Sequence, residues 1–292
     1  MIYYVLYNPL AGNGNNEQKV KELQSLYEAE LSYLDITQIT AYPILISSLE
    51  SDDVLIICGG DGTLNKFINL TDGLDIPNDI LYYAAGTGND FLKDIEKTSD
   101  TKPFSVKEFI KDLPVAEING KCYRFLNNVG FGIDGYCCEV GDKLKETSDK
   151  PVNYTAIAIK GLLFHFKPVN ATVTVDGNTY TYKKVWIAPT MKGRFYGGGM
   201  IPTPNQNRAD PDGTLSVMIF YGKGKLKTLS VFPSIFKGKH VKHKDMVAIH
   251  TGKDIAVIFD RPTPLQVDGE TVLGVTSYHA MAKVSCDILE TV

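Results

Sequence analysis

The sequence predicts an α/β protein with two domains, a parallel-sheet domain followed by an antiparallel β-sandwich domain. Up to about residue 125, strand-like apolar runs alternate with helical periodicity, which is typical of a parallel sheet covered by helices. From residue 126 onward, short runs rich in β-branched and aromatic residues alternate with turn residues. The 292 residues are enough for two cores. We therefore expect domains at 1–125 and 126–282, with a tail at about 283–292 that returns to the first domain.

The first domain contains three predicted strands, at residues 2–7, 53–57 and 80–84. The first run has no basic residues before it and is short, so a strand is favoured over a signal peptide. One helix is predicted between the first two strands from apolar residues that recur at the spacing of a helix face. These residues are Val20, Leu23, Leu26, Tyr27 and Leu31.

The second domain contains several short β-rich runs, and the dipeptide Asp176-Gly177 is a typical hairpin turn between two of them. The predicted strands lie at residues 172–176, 180–182, 185–188, 215–220, 247–250 and 255–259. Two helices are predicted near 153–164 and 225–236.

The overall composition is that of an ordinary globular protein, with 43% hydrophobic and 22% charged residues. A formal net charge of −4 gives no indication of nucleic-acid binding. Five cysteines without Cys-x-x-Cys spacing favour reduced thiols in a cytoplasmic protein. His240, His243 and His250 could suggest a metal, but they lie among lysines, and a solvated basic face is the favoured interpretation.

The run Gly59-Gly60-Asp61-Gly62-Thr63 directly follows an apolar strand and is the most informative motif. Glycines let backbone N–H groups approach an anion closely, and a helix that begins near Thr63 directs its positive end to the same place. Asp61 would repel a phosphate unless a divalent cation or a reacting hydroxyl also binds there. The alternative is a tight strand-to-helix turn in which Asp61 caps the helix.

Two further turns follow predicted strands, and ligands in open α/β sheets bind at the carboxyl ends of the strands. One turn begins at Asn8-Pro9 and the other is Gly86-Thr87-Gly88-Asn89. The Gly-x-Gly-x-x-Gly pattern at Gly130–Gly135 lacks an acid near residue 155, so a dinucleotide fingerprint is not favoured there.

Taken together, six motifs resemble, in order, those of the diacylglycerol kinase catalytic family, especially its soluble bacterial lipid kinases. The Gly-Gly-Asp-Gly motif alone is shared with NAD kinases and phosphofructokinases, so the later motifs carry the resemblance. The six are Asn8-Pro9-x-x-Gly12, Gly59–Thr63, Gly86–Asp90, Gly130–Gly135, Asp212-Gly213-x-Leu215 and Asp268-Gly269-Glu270.

The resemblance implies an NAD kinase-like or phosphofructokinase-like nucleotide domain, a β-sandwich domain and an active site in the cleft between them. It implies that Mg²⁺ binds at Asp61, that a second Mg²⁺ binds at Asp212, and that Glu270 with Asp268 supplies the catalytic carboxylate. The expected acceptor-binding residues are Asp134 and Arg194. The residues expected around ATP are Asn8, Pro9, Gly12, Gly59, Gly60, Asp61, Gly62, Thr63, Asn65, Gly86, Thr87, Gly88 and Asn89.

The expected activity is transfer of the ATP γ-phosphoryl to a lipid hydroxyl, with diacylglycerol as acceptor. A sphingoid base, NAD and a non-catalytic nucleotide- or lipid-binding regulator remain alternatives. Residues 222–245 combine seven lysines with apolar residues at nearly helical spacing, which suits either docking on an anionic membrane or packing on the second domain. Peripheral membrane association is therefore expected, and a homodimer is left open.

Overall fold

A computed structural model describes residues 1–9, 16–86, 89–147 and 152–282, and these residues form two compact units. The first unit is Met1–Asp112 and the second is Leu113–Val292. The strands of the first unit are β1 (Tyr3–Tyr7), β2 (Leu31–Asp35), β3 (Val54–Gly59), β4 (Asp79–Ala84) and β5 (Phe104–Ser105). Its helices are α1 (Asn16–Leu23), α2 (Tyr42–Ser47), α3 (Asp61–Leu70), α4 (Asp90–Asp94) and α5 (Lys107–Ile110).

The sheet of the first unit has the order β2-β1-β3-β4-β5, and every neighbouring pair except β4–β5 is parallel. Its central strand β3 is almost entirely buried, which explains why the sequence of that strand is continuously apolar rather than alternating. The predicted parallel-sheet class of the first domain is confirmed, and all three predicted strands are present within one or two residues.

The helix predicted through Leu31 is wrong beyond the first half of its span. α1 ends at Leu23, one 3₁₀ turn follows, Tyr27 is extended, and Leu31 pairs with Tyr3 at the start of β2. Val20, Leu23, Tyr27 and Leu31 all pack into one apolar cluster. Their spacing therefore reflects a shared core rather than one helix face.

The second unit is built mainly from antiparallel strands. Its strands are β6 (Val115–Ile118), β7 (Lys121–Arg124), β8 (Asn128–Gly132), β9 (Val169–Val175), β10 (Asn178–Val185), β11 (Ile187–Met191), β12 (Leu215–Phe220), β13 (Val247–Gly252), β14 (Asp254–Val267) and β15 (Glu270–Met281). Its helices are α6 (Ile133–Thr147), α7 (Tyr154–Lys160) and α8 (Lys225–Val231).

The main strand order is β13-β12-β11-β8-β14-β15-β6-β7, and β9 pairs with both β14 and β10. All of these pairs are antiparallel, and the strands enclose one large apolar cluster that includes Phe131, Val173, Val217 and Val257. The predicted β-sandwich class of the second domain is confirmed. Both predicted helices are present, with α7 extended by a π-helical turn (Gly161–His165) and α8 by a 3₁₀ turn (Phe232–Lys237).

The second unit begins at Leu113, about a dozen residues before the expected boundary at 125/126. The reason is the β6–β7 hairpin, whose first strand pairs with β15 from Val115↔Met281 to Glu117↔His279. Its partner strand lies far away in the sequence, so local patterns could not assign it. The expected tail at 283–292 lies outside the described residues.

Two hairpins of the second unit share an Asp-Gly turn with positive φ at both residues, as a type I′ turn requires. In the β9–β10 turn, φ is 46° at Asp176 and 80° at Gly177. The Asp176 carboxylate accepts the backbone N–H groups of Lys253 and Asp254, both at 2.9 Å. The aspartate therefore joins its own turn to the start of β14.

None of the described helices is long and apolar enough to cross a membrane. The four cysteines in the described residues are free thiols, in agreement with the sequence. The solvated basic face expected around His240 is wrong for that residue, because its ring is fully buried and its Nε2 lies 2.9 Å from the Pro202 carbonyl oxygen. His250 instead lies 2.6 Å from the Tyr182 hydroxyl.

Candidate functional site

The glycine turns of the first unit meet at the carboxyl edge of its sheet. The parallel register pairs Tyr7 with Cys58 and Gly59 with Ala84, so β1, β3 and β4 end at the same level. The Ala85 N–H then donates to the Gly59 carbonyl at 3.0 Å. Asn8 and Pro9 directly follow β1 and are thus placed at this edge, as predicted from the strand ends.

Gly60 and Gly86 bring the two glycine motifs into backbone contact. A Cβ at Gly86 would lie 2.6 Å from the backbone N and Cα of Gly60, closer than any side chain tolerates. A Cβ at Gly59 would lie 2.5 Å from the Cβ of Thr63. Only glycine fits at Gly59 and Gly86, and the result is a partly buried run of backbone without side chains, which is suited to holding phosphate oxygens.

Asp61 is the first residue of α3, and its carboxylate holds the start of α4. Its Oδ2 accepts the N–H of Asp90 at 2.8 Å and the N–H of Phe91 at 3.2 Å. The side chain is buried. Asp61 therefore connects the two motifs. The capping alternative had it stabilise only the helix that it begins, α3, whereas its carboxylate holds the start of α4.

The remaining predicted nucleotide residues lie in the same turns. Thr63 and Asn65 are buried in α3, and the Asn65 Oδ1 accepts from Asn69 Nδ2 at 3.1 Å. Asn89 Nδ2 donates to the Gly86 carbonyl at 3.0 Å and so closes its own turn. Gly62 lies in the first turn of α3. Gly12, Thr87 and Gly88 lie outside the described residues.

Lys19 supplies a cation at this edge that the sequence analysis missed. Its Nζ lies 3.4 Å from the Ala84 carbonyl oxygen and 3.3 Å from that of Ser99, and 6.0 Å from the centre of the Tyr83 ring. A positive charge held beside glycine turns favours an anionic ligand. Lys19 belongs to no recognisable motif. It lies in α1 among ordinary polar residues, and only the fold brings its side chain to this edge.

In the second unit, Asp268 anchors the turn that carries Glu270. Its Oδ2 accepts the Leu126 N–H at 2.5 Å, and its Oδ1 accepts those of Asn127 and Asn128 at 2.8 and 2.9 Å. Burial raises the pKa of the Asp268 carboxyl, while these three N–H groups and Arg208 oppose that rise. The Asp268 carboxylate is therefore engaged in fixing the backbone, whereas Glu270 is exposed at the first position of β15.

Asp134 is linked to the same turn through Gln266. Gln266 Nε2 donates to the Asp134 Oδ2 at 3.3 Å, and its Oε1 accepts the Gly269 N–H at 2.8 Å. Asp134 also accepts the Gly135 N–H at 2.9 Å in the first turn of α6. Burial raises the pKa of the Asp134 carboxyl to about 7, although the hydrogen bonds from Gly135 and Gln266 lower it. This carboxyl can therefore be protonated or ionised near neutral pH.

Tyr196 packs against Asp134 and brings the glycine-rich loop to the same place. The loop closes through a pair of hydrogen bonds between Tyr196 and Met200, with positive φ at Gly197, Gly198 and Gly199. Both Tyr196 and Asp134 are buried, and the nearby Asp134 raises the Tyr196 pKa further than burial alone does. Arg194, from the same loop, lies 5.5 Å from the centre of the Phe195 ring.

Asp212 lies apart from these groups and does not resemble a metal ligand. Its side chain is 76% exposed and its carboxylate lies 3.5 Å from Lys253 Nζ. The neighbouring Asp210 is occupied by the Asp212 N–H at 3.1 Å and by both the N–H and the hydroxyl of Thr214. In the described ranges, no three His, Cys, Asp or Glu side chains are grouped closely enough to hold a metal ion. The arrangement around Asp212 therefore does not fit the second Mg²⁺ that the resemblance implies.

A parallel sheet with glycine turns gathered at one edge, followed in the chain by an antiparallel domain with an anchored Asp-Gly-Glu turn, defines a class of two-domain phosphate-binding proteins. Comparison with known families identifies the class further. Residues 3–114 match the diacylglycerol kinase catalytic domain, and residues 127–289 match the YegS C-terminal NAD kinase beta sandwich-like domain. The chain therefore belongs to the diacylglycerol kinase catalytic family.

Individual proteins show the same relationship along most of the chain. YtlR of Bacillus subtilis strain 168, provisionally named a lipid kinase, is 26% identical over 97% of this chain and 97% of its own. A Mycobacterium tuberculosis (strain CDC 1551 / Oshkosh) protein named diacylglycerol kinase is 26% identical over 81% of this chain and 79% of its own. These relatives support a kinase function in broad terms, and hence a phosphotransferase.

The fold is also shared with solved structures. A crystal structure of a provisionally named diacylglycerol kinase from Bacillus anthracis strain Sterne aligns with a TM-score of 0.65 at 20% identity. The alignment covers 96% of this chain and 91% of that one. At this identity the similarity is evidence for the two-domain fold alone.

Proposed function

We propose that this chain is an ATP- and Mg²⁺-dependent lipid kinase that transfers the γ-phosphoryl of ATP to the hydroxyl of diacylglycerol, giving phosphatidic acid. The observation that carries the proposal is the backbone contact between Gly60 and Gly86, which leaves no room for a side chain at Gly86 and joins the two glycine turns into one cradle of bare backbone. Lys19 beside this cradle favours the same polyanionic ligand. The name of the Mycobacterium tuberculosis relative supports diacylglycerol as the acceptor.

In the first unit, the backbone of residues 59–62 holds phosphate oxygens, and Lys19 offsets their charge. The Asp61 carboxylate would hold Mg²⁺ directly or through water, as a hard cation prefers oxygen ligands. Mg²⁺ held by Asp61 would supply positive charge that stabilises the loose transition state of phosphoryl transfer. Because Asp61 also holds the start of α4, it keeps the two glycine turns in register while the nucleotide is bound.

In the second unit, Glu270 accepts the proton of the acceptor hydroxyl, and Asp268 acts through it by fixing the turn. General-base catalysis of this kind contributes about 10²–10⁴-fold in rate. Asp134, joined to the turn by Gln266, orients the hydroxyl, and Arg194 lies on the loop that closes around Tyr196. The proton thus leaves the hydroxyl oxygen as that oxygen bonds to phosphorus and the ADP oxygen departs.

The test is transfer of labelled phosphate from ATP to diacylglycerol in mixed micelles, with wild type, Asp61→Asn and Glu270→Gln compared. The exposed Glu96→Gln serves as the charge-matched control. We expect transfer by wild type and the control, and losses of at least tenfold in both site variants. The absence of transfer to any lipid tried, or full activity of Glu270→Gln, would contradict the mechanism.

The same assay decides between acceptors. Sphingosine and NAD are offered in parallel with diacylglycerol, each with ATP and Mg²⁺. A preference for sphingosine or NAD would support the phosphotransferase activity but would contradict diacylglycerol as the acceptor. Binding of ATP with no transfer to any of the three would instead identify a non-catalytic nucleotide-binding regulator.

A lipid acceptor also requires contact with a membrane surface. Within the candidate segment 222–245, only the exposed apolar side chains are available for that contact. Phe232 and Ile235 are buried against the second unit, so the packing alternative holds for them. Leu226 is 79% exposed, and Phe164 of the preceding π-helical turn is 71% exposed. The two segments are joined where Lys225 Nζ donates to the Leu163 carbonyl at 2.8 Å. We propose that these two apolar side chains, flanked by lysines, dock on anionic lipid.

Cosedimentation with phosphatidylglycerol vesicles tests the docking surface. The double variant Leu226→Gln/Phe164→Gln is compared with Ile44→Gln, which removes an equally exposed apolar side chain from α2 of the first unit. We expect the double variant to lose most of its binding and Ile44→Gln to bind as wild type does. Equal binding by all three proteins would exclude this surface.

A further inference from the structure

Arg208 forms a fork of two hydrogen bonds to the chain just before β8. One guanidinium nitrogen donates to the Leu126 carbonyl at 2.5 Å, and the other donates to the Asn127 Oδ1 at 2.7 Å. Both acceptors belong to buried residues. The arginine comes from the loop between β11 and β12, far from this segment in the sequence.

The segment 126–128 is held from its other side by Asp268. The Asp268 carboxylate takes the three consecutive N–H groups, whereas Arg208 takes a carbonyl and a side-chain oxygen. The Asn127 carbonyl in turn accepts the N–H groups of Lys192 and Gly193, at 2.8 and 3.3 Å, at the start of the glycine-rich loop. This short segment therefore connects the Asp-Gly-Glu turn, the glycine-rich loop and Arg208.

Arg208 also places a fixed positive charge near the Asp268 carboxylate. The three N–H groups and the guanidinium favour the ionised carboxylate against the cost of burial. A divalent ion near Asp212 would supply similar stiffening, but Asp212 is paired with Lys253 and Asp210 is occupied by Thr214. The chain thus has a cation of its own near the turn, whereas the residues around Asp212 are a poor set of metal ligands.

We propose that Arg208 is a positioning residue for the phosphoryl transfer: its guanidinium orders residues 126–128, these order the Asp268 turn, and the turn sets the position of Glu270 without a divalent ion in the second unit. The catalytic part rests on the proposed function. A lysine could not replace the arginine, because a single ammonium lacks the planar fork that reaches both acceptors.

The experiment compares Arg208→Met and Arg208→Lys with Arg261→Met. Arg261 is a matched control because it also donates to backbone carbonyls, those of Lys167 and Pro168, but lies at the surface. Hydrogen exchange of the 126–128 amides is measured with and without EDTA, and kcat and KM for ATP are measured in parallel. We expect the 126–128 amides to exchange at least tenfold faster in both Arg208 variants than in wild type. Exchange in Arg261→Met should equal that of wild type, and EDTA should not change exchange in wild type.

For activity, we expect kcat to fall at least tenfold in Arg208→Met while KM for ATP changes less than about threefold, since the nucleotide site lies in the first unit. The proposal would be overturned if Arg208→Met left the exchange rates unchanged. It would also be overturned if EDTA accelerated exchange in wild type and Asp212→Asn removed that effect of EDTA. Exchange is measured without substrate, so it decides the structural role even if no lipid is phosphorylated. An unchanged kcat in a protein with accelerated exchange would overturn the positioning role alone.

Discussion

The Asp61 carboxylate accepts the backbone N–H of Asp90 at 2.8 Å, so an acid in one glycine motif fixes the helix that follows the other. Substitution separates this structural role from metal binding. Asp61→Ala leaves two buried N–H groups without this acceptor and should lower the free energy of unfolding by about 2–4 kcal/mol. Asp61→Asn keeps an acceptor oxygen and should lower the free energy of unfolding by only about 1 kcal/mol, yet it should still abolish most activity.

Urea unfolding of both variants checks this prediction, with the exposed Asp75→Ala as control. The control should change the free energy of unfolding by less than about 0.5 kcal/mol. Equal destabilisation by the alanine and asparagine substitutions would contradict the assignment of these hydrogen bonds.

Gly86→Ala should destabilise the first unit and weaken nucleotide binding together. The added Cβ would lie 2.6 Å from the Gly60 backbone, which cannot move aside as a flexible side chain can, and we expect a cost of about 1–3 kcal/mol. Gly224→Ala is the comparison, because no atom lies within 4 Å of its Cβ position. Thermal unfolding and ATP titration measure the two effects, and a Gly86→Ala protein as stable as Gly224→Ala would refute the close contact.

Asp134→Asn should change how stability depends on pH. The folded pKa is about 7 and the ordinary value is 3.8, so between these values the folded state binds more protons than the unfolded state. The free energy of unfolding of wild type therefore falls as pH rises from about 4 to 7, and the loss is complete above pH 7. Its upper limit is about 4 kcal/mol, from 1.36 kcal/mol per unit of pKa.

Unfolding curves of both proteins from pH 4 to pH 8 provide the measurement. Relative to wild type, the asparagine variant should gain stability from pH 4 to about pH 7 and then level off, whatever its absolute stability. Parallel profiles would show that Asp134 remains ionised throughout.

Lys19→Met should weaken ATP binding without slowing the chemical step. Removing the charge at the carboxyl edge should raise KM for ATP about three- to tenfold, with kcat nearly unchanged, and the difference should shrink at high salt. Lys21→Met, on an exposed position of α1, is the matched control. A fall in kcat at constant KM would place Lys19 in the chemistry rather than in nucleotide binding.

The sequence predicted both domain classes because their signals are local, namely buried strands before glycine turns and alternating runs before Asp-Gly turns. It did not predict the β6–β7 hairpin, the extent of α6 or the end of α1, since each depends on a partner distant in the chain. Gly135 in α6, for example, packs so closely on Pro264 that a Cβ would lie 2.6 Å from its carbonyl carbon. That contact gives no local signal.

The candidate site divides in the same way. Glycines and aspartates stand out in a sequence because turns need them, so the sequence marked Gly60, Asp61 and Asp268 as candidates. Lys19, Gln266 and Arg208 act through contacts made by folding, and as residue types they are common on any surface. For Asp268 the resemblance implied a carboxylate beside the catalytic Glu270, and the structure shows that the residue forms a hairpin turn and anchors a second segment at once.

The second unit uses one anchoring device twice. Asp176-Gly177-Asn178 and Asp268-Gly269-Glu270 both turn through positive φ, and both aspartates capture N–H groups of a neighbouring segment. The Asp-Gly pair thus serves a structural role at two turns of this sandwich, and its presence alone is weak evidence for a catalytic residue. The two turns differ in their third residue, which is an amide at Asn178 and a carboxylate at Glu270. Natural substitutions at position 270 should therefore accompany loss of activity more consistently than substitutions at position 268.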